Sequence, residues 1–415
     1  MNFGNPYFTV ILLSVIALQV LEIVASLLNL KRLSPSLPRG LEDIYDAEAY
    51  AKSQAYTRES ERFDILAGGF KLAAFLTFWL LGGFTLVDGL VRGWSDSPVW
   101  QGLAGMSVLY ALSTLLSLPF DLHDTFRIEA KYGFNKTTPK TFVLDMIKSL
   151  LLGAIIGLPL MALLIWIFDT YANAWLWAWG SVTVVMLALQ YIAPRWLMPL
   201  FNKFTPLPDG ELKDGINALS KKCDFPVAGL FVIDGSRRST KANAFFAGFG
   251  KNKRIALYDT LIEKHPQPEL IAVLAHEIGH FKCRHIVQRM VVGIVQMALL
   301  FLLMGLFMKN GPLASAFGVN QPSVWLSLVF FTFLFEPVQL LLSIAGNLWS
   351  RKHEFEADAY AAKATGAPGD MISGLKRLAR DTLSNLTPHP LHVFLHYSHP
   401  PMPERLAALE KLKTA

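Results

Sequence analysis

The chain has 415 residues, 53% of them hydrophobic and 17% charged, with 29 Phe and 10 Trp; this balance excludes a disordered or fibrous chain and points to a membrane protein. Only two cysteines are present, Cys223 and Cys283, which excludes a disulfide framework. A formal net charge of +6 suits either a nucleic-acid binder or a membrane protein with basic loops on one side, and the placement of the charges decides between them.

About 20 consecutive apolar residues cross a hydrocarbon core. Seven stretches qualify: Phe8 to Leu30, Ile65 to Val87, Val99 to Phe120, Met146 to Phe168, Ala172 to Ala193, Ile286 to Met308 and Val324 to Leu348. The first has no basic residue ahead of it and no small-residue cleavage site after it, so it reads as a retained span rather than a signal peptide. The segment 31–64 carries Lys31, Arg32, Arg39, Lys52, Arg58 and Arg62, and 121–145 carries Arg127, Lys131, Lys136 and Lys140. The second, fourth and sixth segments hold only Arg92, no basic residue and Lys309, respectively. This alternation places the N-terminus outside and the basic segments 194–285 and 349–415 in the cytoplasm. No basic stretch is interleaved with stacking aromatics, so a nucleic-acid partner is not expected. Within the spans, Lys71 and Arg289 read as snorkelling residues, Glu22 and Glu336 as the sign of a polar cavity, and Pro337 as a kink.

Between the fifth and sixth spans, Leu230 to Ile233, Asn243 to Phe249 and Arg254 to Tyr258 read as short strands. An edge strand of such a sheet could hold an extended peptide through its backbone. Pro268, Glu269 and the good helix formers after them then predict a helix bearing His276-Glu277-Ile278-Gly279-His280. Two His four residues apart project from one helix face about 6 Å apart along the axis, which suits two corners of a tetrahedral zinc site. Glu277 beside them is placed to take a proton from zinc-bound water. The string alone also fits an amphipathic helix with solvated His at its end, so a third ligand is needed.

That ligand is expected just beyond the seventh span, in Arg351-Lys352-His353-Glu354-Phe355-Glu356-Ala357-Asp358. Glu354 and Asp358 share a helix face, so Glu354 could bind the metal while Asp358 orients a ligand imidazole or passes protons. Glu356 points about 160° away and reads as solvated. His280 lies six residues before the sixth span and Glu354 six after the seventh; if both helices run unbroken past the membrane edge, the ligands meet about 9 Å beyond the core. Cys283 and His285 are ligands by type but would crowd His280 on the same helix.

At these residues the chain resembles the integral-membrane zinc metalloendopeptidases of the CAAX prenyl protease 1 type. Besides HEIGH and EFEADAYA, the resemblance rests on LPFDLHDTFRIEAKYGFN at 118–135, NAFFAGFGKNKRIALYDTLI at 243–262 and YSHPPMPERLAAL at 397–409. It implies seven spans around an intramembrane chamber, with His276, His280 and Glu354 on zinc and Glu277 activating water. It further implies Asp358 as an orienting residue or proton donor, Asn243 and Ala244 at the start of a substrate-holding strand, and His399 and Arg405 stabilising the tetrahedral intermediate. His389, His392 and His396 carry no role from it and read as surface or packing residues. The first loop, Tyr56 to Phe63, matches the family more loosely, and the compact chain favours a bacterial member.

The expected fold is mainly α and polytopic, with a zincin-like cytoplasmic catalytic part containing a small β-sheet. Its divisions are a membrane domain at 1–195, a catalytic segment at 196–285, spans at 286–348 and a C-terminal catalytic segment at 349–415. The expected activity is hydrolysis of peptide bonds with one Zn2+ per chain. The expected partners are a peptide or protein substrate, a lipidated C-terminus included, and membrane lipids, with the chain a monomer in a bacterial cytoplasmic membrane or, for a eukaryotic source, the endoplasmic reticulum. Two alternatives are a membrane quality-control zinc protease, usually with fewer spans, and a seven-span transporter or receptor with a structural zinc site, which would need a fourth protein ligand.

Overall fold

Asn5 caps the first helix, α1 (Pro6–Arg32), by accepting from the Tyr7 N–H, with Pro6 in the first turn and Lys31 and Arg32 in the last. The computed structural model describes residues 4–34, 36–37, 41–247 and 254–413. Arg39, residues 248 and 249 of the expected middle strand, and Thr414 and Ala415 lie outside the described residues.

Helix α2 (Ala47–Leu80) is capped by Asp46 and begins well before the expected span, so half of the presumed first loop is helical. It stops short of the expected Val87 because Gly82 takes a left-handed conformation, φ +80°, and the chain restarts as α3 (Gly83–Trp94). The membrane half continues with α4 (Pro98–His123), which runs on through a π-helical stretch Asp124–Glu129, then α5 (Pro139–Thr170) and α6 (Ala174–Ile192). The middle of the chain forms β1 (Phe204–Pro206), α7 (Glu211–Lys222), β2 (Gly229–Ile233), β3 (Ala244–Ala247), β4 (Arg254–Tyr258), α8 (Asp259–Lys264) and α9 (Gln267–Lys282). The last part comprises α10 (His285–Phe307), α11 (Gly311–Ala316), α12 (Val324–Thr365), α13 (Pro368–Asp381), α14 (Pro390–His396) and α15 (Met402–Lys413).

Among the described residues, seven helices are long and apolar enough to cross a membrane: α1, α2, α4, α5, α6, α10 and α12. They carry all seven expected spans. Leu13, Val20, Leu66, Ile155 and Leu306 stand more than half exposed on them, a surface that lipid covers and water would not tolerate in such quantity. Helix α12 passes through Pro337 without interruption and, at 42 residues, is about 63 Å long, twice a hydrocarbon core of about 30 Å. Its apolar first half spans and its charged second half projects into the catalytic part.

Two cores result. One is aromatic and lies at the membrane end, where Trp79, Phe84, Phe317 and Phe330 pack together and Phe317 stacks on Phe330 at 3.9 Å. The other is largely aliphatic and packs Leu270, Leu274 and Ile278 of α9 against Ile255 and Leu257 of β4 and Ile372 and Leu375 of α13. The sheet has the order β1-β2-β4-β3, with β2 and β4 parallel and β3 antiparallel on one edge. Strand β1 has three residues including Pro206, too short to leave a periodic signature in sequence.

The expected polar cavity takes a different form. Glu22 pairs with His396, 3.1 Å from Nε2 to Oε2, and Arg289 donates to Ser350 at 3.1 Å. The cavity between the spans, about 940 Å³, is instead lined mainly by apolar residues such as Phe75, Phe84, Met106, Met304 and Phe333, with Lys71 at its wall.

Candidate active site

Helix α9 is anchored before it reaches the site. Glu269, expected only to favour a helix start, is buried and accepts from Arg377 at 2.8 and 3.2 Å and from Ser373 at 2.5 Å, with His265 Nδ1 at 2.9 Å. Nearly three turns later Gly279 faces α12 so closely that a Cβ there would stand 3.1 Å from the Ala357 Cα and 3.1 Å from its carbonyl oxygen. Glycine allows this approach without displacing α12, and the approach brings His276 and His280 onto Glu354.

The donor atoms form a small triangle. His276 Nε2 and His280 Nε2 are 3.1 Å apart, His280 Nε2 is 3.3 Å from Glu354 Oε1, and His276 Nε2 is 3.5 Å from Glu354 Oε2. A tetrahedral ion with bonds of 2.0–2.1 Å holds its ligands about 3.3 Å apart, so the triangle matches one face of such a tetrahedron. Glu354 Oε2 is buried with no hydrogen-bond partner, the Arg405 guanidinium reaching it only at 3.7 Å, an arrangement that a metal ion held between it and the two imidazoles would satisfy more closely. The residues therefore fit a divalent metal.

Around the triangle, Asp358 Oδ1 lies 2.7 Å from His276 Nδ1, and Arg405 holds Asp358 with two hydrogen bonds of 2.7 and 2.8 Å. A carboxylate only accepts, so His276 carries its proton on Nδ1 and presents Nε2 to the triangle. Burial lowers the His276 imidazole, yet the hydrogen bonds with Asp358 and Glu354 outweigh it and bring it up to about 9. Arg405 is buried against Asp358, a geometry that suits support of Asp358 better than contact with a substrate.

Two expectations change here. Arg284 adopts φ 60° and separates α9 from α10, so the helix bearing the two His does not run unbroken into the sixth span; the ligands meet because α9 turns to pack along α12. Glu356 is not simply solvated. Its Oε2 lies 2.9 Å from His285 Nε2, and His285 Nδ1 lies 2.9 Å from His280 Nδ1. The sequence contained the types but not the pairing, which joins residues 71 apart.

Glu277 is next to the triangle, and burial raises its carboxyl above the ordinary range. His399 places Nε2 3.5 Å from Glu354 Oε1 and keeps 64% of its side chain accessible, so it borders the open side of the triangle. Asn243 is exposed just before edge strand β3, its side chain accepting from the Ala244 N–H at 2.8 Å. Strand β3 packs beside α9 and pairs on one side only. The sequence-predicted residues thus gather around one point, with Asn243 and Ala244 at the sheet edge next to it.

Residues 26–203 match the family described as CAAX prenyl protease N-terminal, five membrane helices, and residues 206–413 match peptidase family M48. The chain is 36% identical to a CAAX prenyl protease 1 homolog of Oryza sativa, covering 98% of this chain and 97% of that protein. It is 37% identical to CAAX prenyl protease 1 of Saccharomyces cerevisiae, over 90% of this chain and 88% of that one. The crystal structure of S. mikatae Ste24p superposes with a TM-score of 0.93 at 34% identity, covering 98% and 99% of the two chains. These relatives are eukaryotic, and the near-complete coverage of the rice protein removes chain length as an argument for a bacterial source. The chain belongs to the CAAX prenyl protease 1 family, the membrane-embedded metalloendopeptidases of family M48.

Proposed function

We propose that the metal is zinc, held by His276, His280 and Glu354, and that the chain cuts an extended peptide at the cytoplasmic face of its membrane, with a prenylated CAAX C-terminus as the substrate to test first. The observation that carries this reading is the close convergence of His276, His280 and Glu354 donors at 3.1–3.5 Å, adjoined by Glu277, whose carboxyl burial raises. Bound there, zinc would polarise a scissile carbonyl and acidify a water. Glu277 accepts the proton of that water and returns it to the leaving amine. His399, accessible beside Glu354, donates to the oxygen of the scissile carbonyl as negative charge develops on it. Asn243 and the edge strand beginning at Ala244 hold the peptide backbone by strand addition. Asp358, fixed by Arg405, keeps Nε2 of His276 free.

A structural metal site would be closed by a fourth ligand, whereas the donor cluster at this point contains three residues among those described.

The test is cleavage of a farnesylated CAAX-type peptide and its unlipidated twin by purified protein in detergent, alongside Glu277→Gln with metal content measured. Wild-type cleavage with an inert variant that retains one zinc supports the reading, and the ratio between peptides reports the role of the lipid. A Glu277→Gln variant that still cuts at the wild-type rate overturns the assignment of the base.

A further inference from the structure

The second nitrogen of each imidazole in the triangle needs a fixed partner, because a ring free to change tautomer offers the metal a lone pair only part of the time. For His276 the partner is Asp358, a single step away. For His280 the partner is another imidazole. His280 Nδ1 and His285 Nδ1 are 2.9 Å apart, and two ring nitrogens at that distance share one proton.

The proton's owner follows from the far side of His285. Its Nε2 lies 2.9 Å from Glu356 Oε2, and an ionised carboxylate only accepts, so Nε2 carries the hydrogen. A neutral imidazole has one N–H, which leaves His285 Nδ1 as an acceptor. His280 Nδ1 must then donate, and the lone pair of His280 Nε2 is left facing His276 and Glu354. Glu356 thereby sets the tautomer of His280 from two residues away. We infer that His285, backed by Glu356, is a positioning residue that holds His280 in its metal-binding tautomer, as Asp358 does for His276; this rests on the reading of His280 as a metal ligand.

The surroundings keep His285 in place. It is 1% exposed, and its ring stacks on that of His353 at 3.8 Å with 8° between the planes. His353 is itself buried, with Nε2 3.1 Å from Gln288 Oε1. Arg284 in its left-handed conformation lets His285 begin α10 while turning back toward α9.

His285, His353 and Glu356 also carry donors within 4.8 Å of one another, which raises a second cation site as a rival use of the same residues. The stacking argues against it. Imidazole lone pairs lie in the ring plane, and two nearly parallel planes 3.8 Å apart offer no common point for an ion.

The experiment measures zinc binding to the full-length protein in detergent by chelator competition, after metal removal, with stoichiometry at saturation. His285→Phe keeps the ring and the stack but removes the acceptor, and zinc affinity is expected to fall about 10–100-fold with one ion per chain. His285→Asn places a carbonyl oxygen where Nδ1 stood and is expected to recover affinity to within a few-fold of wild type. Glu356→Ala is expected to weaken binding in the same direction, by less. His280→Ala is the control for the underlying reading and should abolish stoichiometric binding.

If His280→Ala loses zinc while His285→Phe binds like wild type, the inference fails and the site reading stands. If His280→Ala still binds one zinc, the site reading itself fails. Equal weakening in His285→Phe and His285→Asn assigns the effect to packing and overturns the relay. Two zinc ions per wild-type chain, falling to one in Glu356→Ala, would overturn it in favour of a cation on His285, His353 and Glu356.

Discussion

Replacing Gly279 by Ala puts a methyl group where α9 and α12 meet. An ideal Cβ would lie 3.1 Å from the Ala357 Cα, from its carbonyl oxygen and from the Tyr360 Cβ, against an ordinary contact of 3.4 Å or more. About 0.3 Å must be absorbed, and two of the three neighbours are backbone atoms that cannot rotate away. Overpacking of this kind costs about 1–3 kcal/mol, partly offset by the roughly 1 kcal/mol that Ala gains over Gly within a helix. The metal-free protein therefore loses at most about 2 kcal/mol. The donor triangle is more sensitive, because His276 and His280 flank Gly279 while Glu354 and Asp358 flank Ala357 on the facing helix. A separation of about 0.3 Å exceeds the roughly 0.2 Å tolerance of metal–ligand distances, and zinc affinity should fall about 10–100-fold. The assay is chelator competition on purified Gly279→Ala, with Gly346→Ala as the control: it lies on α12 and its Cβ would meet nothing within 4 Å. If Gly279→Ala binds zinc within threefold of wild type, close helix approach does not set the site and the reasoning fails.

Further outcomes follow from the same geometry. His276 is raised to about 9, so zinc must displace its proton; affinity for the metal-depleted protein should rise about tenfold per pH unit up to about 9 and then level off, with one proton released, measured by calorimetry in buffers of different ionisation enthalpy. A folded-state pKa above the ordinary imidazole value of 6.5 adds stability that is full below about 6.5 and lost as pH rises through about 9. The melting temperature of the metal-depleted protein should fall over that window while the zinc-loaded protein holds steady, and an unchanged difference between them would refute the assignment. Glu269→Ala breaks the buried cluster with His265, Ser373 and Arg377. It should destabilise by about 2–3 kcal/mol, a lowering of roughly 2–4 °C for a chain of this size, with one zinc still bound; loss of zinc at unchanged melting temperature would show that Glu269 serves the site instead of the fold.

Much of the site was legible because its signals are local. His276, Glu277 and His280 share one helical turn and Glu354 and Asp358 another, so residue type and spacing define two ligand-bearing faces without any knowledge of how they pack. The spans were legible for the same reason, since each is a continuous apolar run. The partners of Glu356 and Arg405 were not legible because they are distant in the chain. Helical geometry correctly sent Glu356 away from Glu354, but the imidazole waiting there belongs to His285 on another helix. Arg405 lies 47 residues from Asp358, and no pattern within the last helix points to a buried bidentate pair.

By itself, then, the amino-acid sequence determined seven apolar spans and the residue types and spacing of the proposed metal donors and base, since hydropathy and helical spacing are properties of contiguous residues. Only the tertiary structure decided that α2 stops at Gly82, that Arg284 breaks the helix after HEIGH, and that Gly279 brings α9 against Ala357. It alone set the hydrogen-bond partners of the two imidazoles. Those depend on which acceptors chain folding carries to each ring nitrogen, and a hydrogen bond of 2.7–2.9 Å is a matter of three-dimensional packing that residue order does not encode locally.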